Sequence, residues 1–166
     1  FFPHTLFPFI SLIEYIKCMG NRNHLKSARR TIKIEAKGLE NLSNNLTKDF
    51  NTVCDYLAKT RGKIITIGIG KSGHIAQKVS ATLSSTGSPS SFLNAAEALQ
   101  GDAGGIAKND SVLIFSHSGQ SEEIIELFPF LKSLGCKYFS ITGSQESFIA
   151  KNAQINIDTG ISEEAC

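Results

Sequence analysis

Hydrophobic positions follow two different periods along the chain. From about residue 23 to residue 59 apolar side chains recur three or four residues apart, with no proline and a single glycine, Gly38. This spacing predicts one long helix or two consecutive helices. After residue 60 short apolar runs alternate with segments of helical spacing. The change of period predicts an N-terminal helical region over residues 19–60 and a second domain over residues 61–166.

The second domain is predicted to be an α/β domain. Its strand-like segments are Lys63–Ile69, Ser90–Leu93, Ser111–Phe115, Lys137–Thr142 and Ile155–Asp158. Its helix-like segments are Gly73–Ser85, Ala95–Ala107, Glu122–Leu134 and Gln145–Asn152. Short, almost continuously apolar strands that alternate with helices are typical of a parallel sheet covered on both faces. We therefore predict a doubly wound five-stranded parallel sheet flanked by helices, with N-terminal helices before it.

The two ends of the chain differ from its middle. Residues 1–16 are aromatic and apolar, but two prolines and Glu14 interrupt a run that is already too short to span a bilayer. The segment also lacks the basic start and cleavage site of a secretory signal. We expect residues 1–18 to be upstream or extraneous sequence and Met19 to be the start, with a packed or partner-binding extension as the alternative. The C-terminus, Glu163–Cys166, brings no closing helix, so we expect the second domain to be truncated there.

Composition indicates a globular protein without a nucleic-acid or membrane partner. The 166 residues are 41% hydrophobic and carry a net charge of +2, which is too small to indicate nucleic-acid binding. Basic residues cluster between Arg22 and Lys37, but Glu35 interleaves with them and a solvated helix face explains the pattern. The four cysteines lie far apart and form no C-x-x-C pair, so we expect no metal site and reduced thiols in a cytoplasmic protein.

Two polar turns follow predicted strands and are suited to an anion. Residues 64–74 read I-I-T-I-G-I-G-K-S-G-H, and residues 111–121 read S-V-L-I-F-S-H-S-G-Q-S. The first turn brings backbone N–H groups, Lys71 and Ser72 to the start of a helix, where phosphate groups bind readily. The second offers the hydroxyls of Ser116, Ser118 and Ser121 and no negative charge. Two such turns in one domain predict a small phosphorylated ligand.

Other interpretations of these turns are less well supported. The glycines at positions 68, 70 and 73 fit the dinucleotide pattern G-x-G-x-x-G, but the second strand closes on Asn94 and not on an acidic residue that could hold a ribose. An ATP-binding P-loop would need glycine where the chain has Ile65. His117 lies between two serines, yet no G-x-S-x-G elbow surrounds Ser118, so nucleophilic hydrolysis is not favoured.

Acidic side chains gather at the same predicted end of the sheet. Glu97 is flanked by small apolar residues, which predicts either a half-buried carboxylate with a partner or one that points into a cleft. Glu123 falls in the first turn of a helix, where it could also simply stabilise the helix dipole. Glu163 and Glu164 follow the fifth strand. Carboxylates beside a phosphate site are what proton transfer next to a sugar carbonyl requires.

Five segments in order resemble a known family. They are Gly68–Ala76 (G-I-G-K-S-G-H-I-A), Ser84–Pro89 (S-S-T-G-S-P), Ala96–Asp102 (A-E-A-L-Q-G-D), Ser116–Ile124 (S-H-S-G-Q-S-E-E-I) and Glu163–Cys166 (E-E-A-C). Together they resemble the sugar isomerase (SIS) domain of the KpsF/GutQ-like arabinose 5-phosphate isomerases. The resemblance runs from about Ser27 to Cys166 with near-constant spacing, which is more specific than any single motif.

The resemblance implies an activity and an assembly. Members of this family interconvert D-ribulose 5-phosphate and D-arabinose 5-phosphate on the way to the 3-deoxy-D-manno-octulosonate of lipopolysaccharide, and they need no organic cofactor. The family fold is a five-stranded parallel sheet between helices, usually assembled as a homotetramer with sites built across subunits. The implied partners of this chain are therefore a phosphorylated pentose and further copies of itself.

The resemblance also implies roles for individual residues. The family's active-site lysine and glutamates fall on Lys71, Glu123 and Glu164, and we expect a glutamate, with Glu164 first and Glu123 second, to move the proton. The residues expected to bind the substrate and its phosphate are Gly70, Ser72, Ser116, Ser118, Ser121, Glu97 and Gln100. A second family histidine and the paired regulatory CBS domains would lie beyond Cys166.

One departure from the family pattern leaves an alternative open. The family commonly has histidine where this chain has Gln100, and an amide can donate a hydrogen bond but cannot carry a proton. SIS domains also serve as non-catalytic sugar-phosphate sensors, and Gln100 favours that interpretation. No helix-turn-helix segment precedes the domain in this chain, which favours the isomerase.

Overall fold

The computed structural model describes residues 23–161 of the chain. These residues form two compact units. One unit contains the described residues up to Asn45 together with Gly160 and Ile161, and the other spans Leu46–Thr159. Residues 1–18, Glu163, Glu164 and Cys166 lie outside the described residues, so the predictions made for them stay predictions.

The described residues of the first unit include one long helix, α1, over His24–Asn45. The side chain of Asn23 accepts a hydrogen bond from the Lys26 N–H at 3.0 Å and so caps the start of the helix. The basic side chains predicted to form a solvated face are exposed along α1; they are Lys26, Arg29, Arg30, Lys33 and Lys37. Their exposure agrees with that interpretation.

The second unit alternates helices and strands after one further N-terminal helix. The helices are α2 (Lys48–Ala58), α3 (Gly70–Ser85), α4 (Ala95–Leu99), α5 (Glu122–Leu134) and α6 (Phe148–Asn152), with a 3-10 turn over Asp102–Gly105. The strands are β1 (Ile64–Gly68), β2 (Ser90–Asn94), β3 (Ser111–Ser116), β4 (Lys137–Thr142) and β5 (Asn156–Asp158). The predicted alternation of strands and helices is confirmed.

All five strands are parallel and lie in the order β2-β1-β3-β4-β5. The chain first builds the sheet towards β2, then crosses back so that β3 pairs with the other side of β1. The strand order therefore reverses between β1 and β3. In open parallel sheets ligands bind at the carboxyl ends of the strands beside such a switch point.

Each face of the sheet carries its own apolar core. On one face, side chains such as Ile67 and Ile114 pack with Leu131 of α5 and with residues of α4 and α6. On the other face, Phe139 packs with residues of α2 and α3. Full burial of an aliphatic side chain stabilises a fold by roughly 1.5–3 kcal/mol, so these two layers hold the strand ends in place. The prediction of a doubly wound sheet is confirmed.

The structure corrects some of the predicted helix boundaries and decides an alternative that the sequence left open. The single helix predicted over Ala95–Ala107 is wrong: α4 stops at Leu99, because Gly101 takes a φ of 128°, which no helix allows, and only a 3-10 turn follows. The helix predicted over Gln145–Asn152 begins only at Phe148, since the Ser147 side chain caps it there. Of the two alternatives predicted for the N-terminal region, two consecutive helices are confirmed, because Thr47 caps a new helix after Asn45.

Within residues 23–161 no helix is long and apolar enough to cross a membrane. Of the cysteines that the structure describes, Cys54 is exposed and Cys136 is buried, and neither is in a disulfide. The predicted domain boundary near residue 60 is not tested by these observations and stays a prediction.

Candidate active site

The two polar turns predicted from the sequence lie side by side at the switch point. The first joins β1 to α3 and the second joins β3 to α5, and β1 and β3 are neighbours in the sheet. A hydrogen bond of 3.4 Å joins the turns directly, from the N–H of His117 in the second turn to Oγ of Ser72 in the first. The sheet thus brings together residues that are 45 positions apart in the chain.

The first turn leaves β1 through a tightly packed glycine segment. A Cβ on Gly68 would lie 2.8 Å from the carbonyl oxygen of Ser72, so only glycine lets α3 begin this close to the strand. Lys71 is exposed at the second position of α3 and Ser72 is half-buried beside it. The turn therefore places an ammonium group and a hydroxyl at the carboxyl end of β1.

The second turn is built by its own hydroxyl groups. Ser116 is buried at the end of β3, and its Oγ lies 3.0 Å from Oγ of Ser121 and accepts the Gly119 N–H at 3.1 Å. Oγ of Ser118 accepts the Gln120 N–H at 3.2 Å. Gly119 has a φ of 62°, a conformation that side-chain-bearing residues rarely adopt. These contacts fix the predicted serines around one tight bend.

Helix capping sets these two turns apart from the others. The helices α1, α2, α4 and α6 begin at a residue whose side chain accepts a backbone N–H: Asn23, Thr47, Asn94 and Ser147. By contrast, within the described part of the chain no side chain caps α3 or α5. The first N–H groups of a helix have no partner inside the helix, and together with the helix dipole they attract an anion. The two uncapped helices are the two that begin at the switch point.

Two of the carboxylates predicted for the site, Glu123 and Glu97, belong to the described residues. Glu123 is half-buried in the first turn of α5. Glu97 lies in α4 and is exposed, because the small residues Ala95 and Ala98 take the buried positions of that helix. The half-buried alternative is therefore wrong, and a carboxylate that points into a cleft stays a prediction. Gln100 is exposed at the end of α4. Because α4 packs against α5, these groups share the carboxyl end of the sheet.

The chemistry available at this point is that of cations, hydroxyls and amides. Among residues 23–161 no group of three or more histidines, cysteines or acidic residues could hold a metal ion. The donors at the two turns suit a phosphate monoester, and Glu123 stands where it could exchange a proton with the rest of a bound molecule. The arrangement can therefore bind a small phosphorylated compound and act on it as an acid or base.

The sequence analysis missed two residues that shape the second turn. The N–H of Gly143 donates to the carbonyl oxygen of His117 at 2.9 Å, and the side chain of Ser147 fills the space where a Cβ on Gly119 would lie. Both residues belong to the turn between β4 and α6, which reads G-S-Q-E-S. A polar turn directly after a strand was the available signal, since β4 ends at the same edge of the sheet.

Comparisons with known proteins agree with this geometry. Over 146 residues the chain is 43% identical to an arabinose 5-phosphate isomerase of Pseudomonas aeruginosa, covering 88% of this chain and 45% of the relative. It is 38% identical over 143 residues to an arabinose 5-phosphate isomerase of Escherichia coli O6:H1, covering 86% of this chain and 44% of the relative. The chain thus spans about half the length of the curated relatives it matches.

A solved structure and a family model extend the comparison. The fold superposes on a protein of Escherichia coli CFT073 in complex with arabinose 5-phosphate with a TM-score of 0.83 and 34% identity, covering 89% of this chain and 79% of that one. The family model of the SIS domain matches residues 56–166, which include both turns and every predicted site residue. With the five-stranded parallel sheet and the paired turns at its switch point, the chain belongs to the SIS domain family.

Proposed function

We propose that the protein to which this chain belongs interconverts D-ribulose 5-phosphate and D-arabinose 5-phosphate. The observation that carries the proposal is the meeting of two uncapped helix N-termini, Lys71 and a cluster of serines at one switch point. This arrangement supports a phosphate site, and the names of the relatives from Pseudomonas aeruginosa and Escherichia coli support the particular phosphosugar. The product would feed lipopolysaccharide synthesis.

In the proposed reaction a carboxylate removes a proton from C1 of the ketose, beside the C2 carbonyl. The electron pair forms a cis-enediolate with the charge on O2. A proton passes from the C1 hydroxyl to O2, and a proton that the base has exchanged with solvent is added to C2, which leaves the carbonyl at C1 and gives the aldose. Glu164 is the first candidate for the base and Glu123 the second. Lys71 would neutralise charge on the phosphate or on the developing oxyanion. Ser72, Ser116, Ser118 and Ser121, with the amides at the starts of α3 and α5, would hold the phosphate.

The experiment measures turnover by the full-length protein in heavy water. We expect D-ribulose 5-phosphate to be converted to D-arabinose 5-phosphate with deuterium at C2, since an enediolate exchanges its proton with solvent. Glu164→Gln should abolish turnover with little loss of binding. If Glu123 also transfers a proton, Glu123→Gln should lower kcat at least about 100-fold. The matched control is Glu122→Gln, a change in an exposed neighbouring side chain, and its kcat should stay within about twofold of the wild type. Full activity in Glu164→Gln would remove that residue from the mechanism.

The same experiment separates the isomerase from a sugar-phosphate sensor. Gln100 is the observation that favours a sensor, because the amide cannot carry a proton. A sensor would bind D-arabinose 5-phosphate and leave both its structure and its C2 proton unchanged. Turnover by the wild type, and its persistence in Gln100→Ala at a reduced rate, would show that this position binds the substrate without transferring protons.

We further propose that the protein acts in the cytoplasm as a homotetramer with no cofactor. The location is supported by the phosphorylated pentose proposed as substrate and by the described cysteines, Cys54 and Cys136, which are not in a disulfide. The assembly and the lack of a cofactor are what the family resemblance implies. Light scattering by the full-length protein tests the assembly, with a mass of four chains expected. A stable, active monomer would contradict it.

A further inference from the structure

The second turn forms hydrogen bonds with the turn between β4 and α6 and with the start of α6. The N–H of Gly143 donates to the carbonyl oxygen of His117 at 2.9 Å, and the N–H of Ile149 donates to the carbonyl oxygen of Gly119 at 3.0 Å. Ser147 is buried, and its Oγ donates to the Ser144 carbonyl oxygen at 2.8 Å. Two main-chain bonds thus join the second turn to a segment that none of the predicted site residues belongs to.

A close contact in this support is between the imidazole of His117 and the backbone of Gly143. A Cβ at position 143 would lie 2.8 Å from both Cε1 and Nδ1 of His117 and 2.9 Å from its carbonyl oxygen. Real Cβ atoms essentially never come this close to a neighbour. The imidazole of His117 is exposed, but its carbonyl oxygen is backbone, so any residue larger than glycine would displace the His117 main chain as well as the ring. The ring therefore lies directly against the β4 end, and its main chain bridges to Ser72 of the first turn.

We infer that His117 and Gly143 are positioning residues for the phosphate-binding turns. The imidazole of His117 packs on Gly143. The N–H of His117 donates a hydrogen bond to Ser72 in the first turn, and its carbonyl oxygen accepts one from Gly143. These contacts fix the distance between Ser72 and the serines of the second turn. The role that we assign is steric and depends on a ring of this size at position 117. The inference rests on the proposed function, since it assigns the phosphate of that substrate to these turns.

The test compares three single variants and one double variant of the full-length protein. Gly143→Ala pushes His117 aside, and we expect KM for D-ribulose 5-phosphate to rise about tenfold with kcat within about twofold, because displacing a binding group by a fraction of an ångström weakens binding without touching the reacting carbon. His117→Ala should raise KM about threefold, whereas His117→Phe, which keeps a ring, should stay near the wild type. Gly38→Ala is the control, since a Cβ there meets nothing within 4 Å.

The double variant His117→Ala/Gly143→Ala gives the sharpest result. If the ring is what the added methyl group at position 143 would strike, removing the ring relieves part of the damage, and the rise in KM should be clearly smaller than the product of the two single effects. Additive effects would overturn the inference. It would also be overturned if His117→Phe behaved like His117→Ala, or if the effect of His117→Ala changed between pH 5.5 and 7.5, because the imidazole would then act through its nitrogens.

Binding of inorganic phosphate separates this inference from the proposed function. Calorimetric titration of the same variants with phosphate alone should show the same order of affinities, with Gly143→Ala weakest. If the variants bind phosphate in this order but the wild type fails to convert the sugar, the proposed activity is wrong and the positioning role stands. If all variants bind phosphate equally, the positioning role is wrong whatever the activity.

Discussion

Asp110 joins the chain entering β1 to the chain entering β3, at the end of the sheet opposite the candidate site. Its carboxylate is only 4% exposed. Oδ1 accepts the Lys63 N–H at 2.7 Å, and Oδ2 accepts the Ala107 N–H at 2.8 Å. Both distances are those of charge-assisted hydrogen bonds, which are shorter and stronger than neutral ones. The residue is therefore expected to stabilise the register of the two central strands.

The expected effect of removing the carboxylate follows from these two bonds. A hydrogen bond to a charged acceptor contributes about 1.5–3 kcal/mol, and Asp110→Ala also leaves two partly buried N–H groups without a partner. We expect Asp110→Ala to lower the free energy of unfolding by about 3–5 kcal/mol, which is a large share of the roughly 5–15 kcal/mol of a typical domain. Asp110→Asn keeps one acceptor oxygen and should lose about half as much.

Urea denaturation followed by circular dichroism measures these changes. The midpoint should fall while the denaturant dependence stays constant, because the surface exposed on unfolding is unchanged. Asp55→Ala, on the exposed side of α2, is the matched control and should stay within about 0.5 kcal/mol. KM of the folded protein should not change in either variant. A loss below about 1 kcal/mol in Asp110→Ala would refute the reasoning.

Three further predictions concern buried groups in the second unit. Thr66 donates a buried hydrogen bond of 2.9 Å to the Ala76 carbonyl oxygen, so Thr66→Val should lower the free energy of unfolding by about 1 kcal/mol. The control Thr52→Val loses an exposed hydrogen bond and should change the free energy of unfolding by less than about 0.5 kcal/mol. Equal losses in urea denaturation would contradict this. Iodoacetamide should label exposed Cys54 in the native protein and spare Cys136, as peptide mass mapping would show. Burial raises the pKa of the Cys136 thiol, so the unfolded chain releases this proton first, and the free energy of unfolding should fall as the pH rises above about 8.5; Cys136→Ala should reduce that slope.

The fold could be predicted from local patterns because strands and helices bury their side chains with different periods. The switch from helical spacing to short apolar runs near residue 60 correctly indicated a parallel α/β sheet. The helix predicted over Ala95–Ala107 failed, because a periodic pattern does not reveal that Gly101 adopts a positive φ. The starts of α3 and α6 were each misplaced by three residues, and at α6 the reason is the cap formed by the Ser147 side chain.

Each polar turn of the candidate site could be predicted from the sequence, but the contact between the two turns could not. Lys71 and Ser121 were identified because glycines and hydroxyls follow apolar strands, which is a local signal. That the two turns meet depends on β3 pairing with β1, and strand order is not written in local periodicity. The contact between His117 and Gly143 joins the residues that directly follow β3 and β4, so it depends on the pairing of those strands and not on any spacing in the chain.

The most direct test of the account is a crystal structure of the full-length protein with bound D-arabinose 5-phosphate. The account predicts that the phosphate lies between the starts of α3 and α5, within hydrogen-bonding distance of the hydroxyls of Ser118 and Ser121 and near Ser72. The sugar carbons should then extend towards Glu123. A phosphate bound elsewhere on the molecule, with the two turns empty, would contradict the central claim.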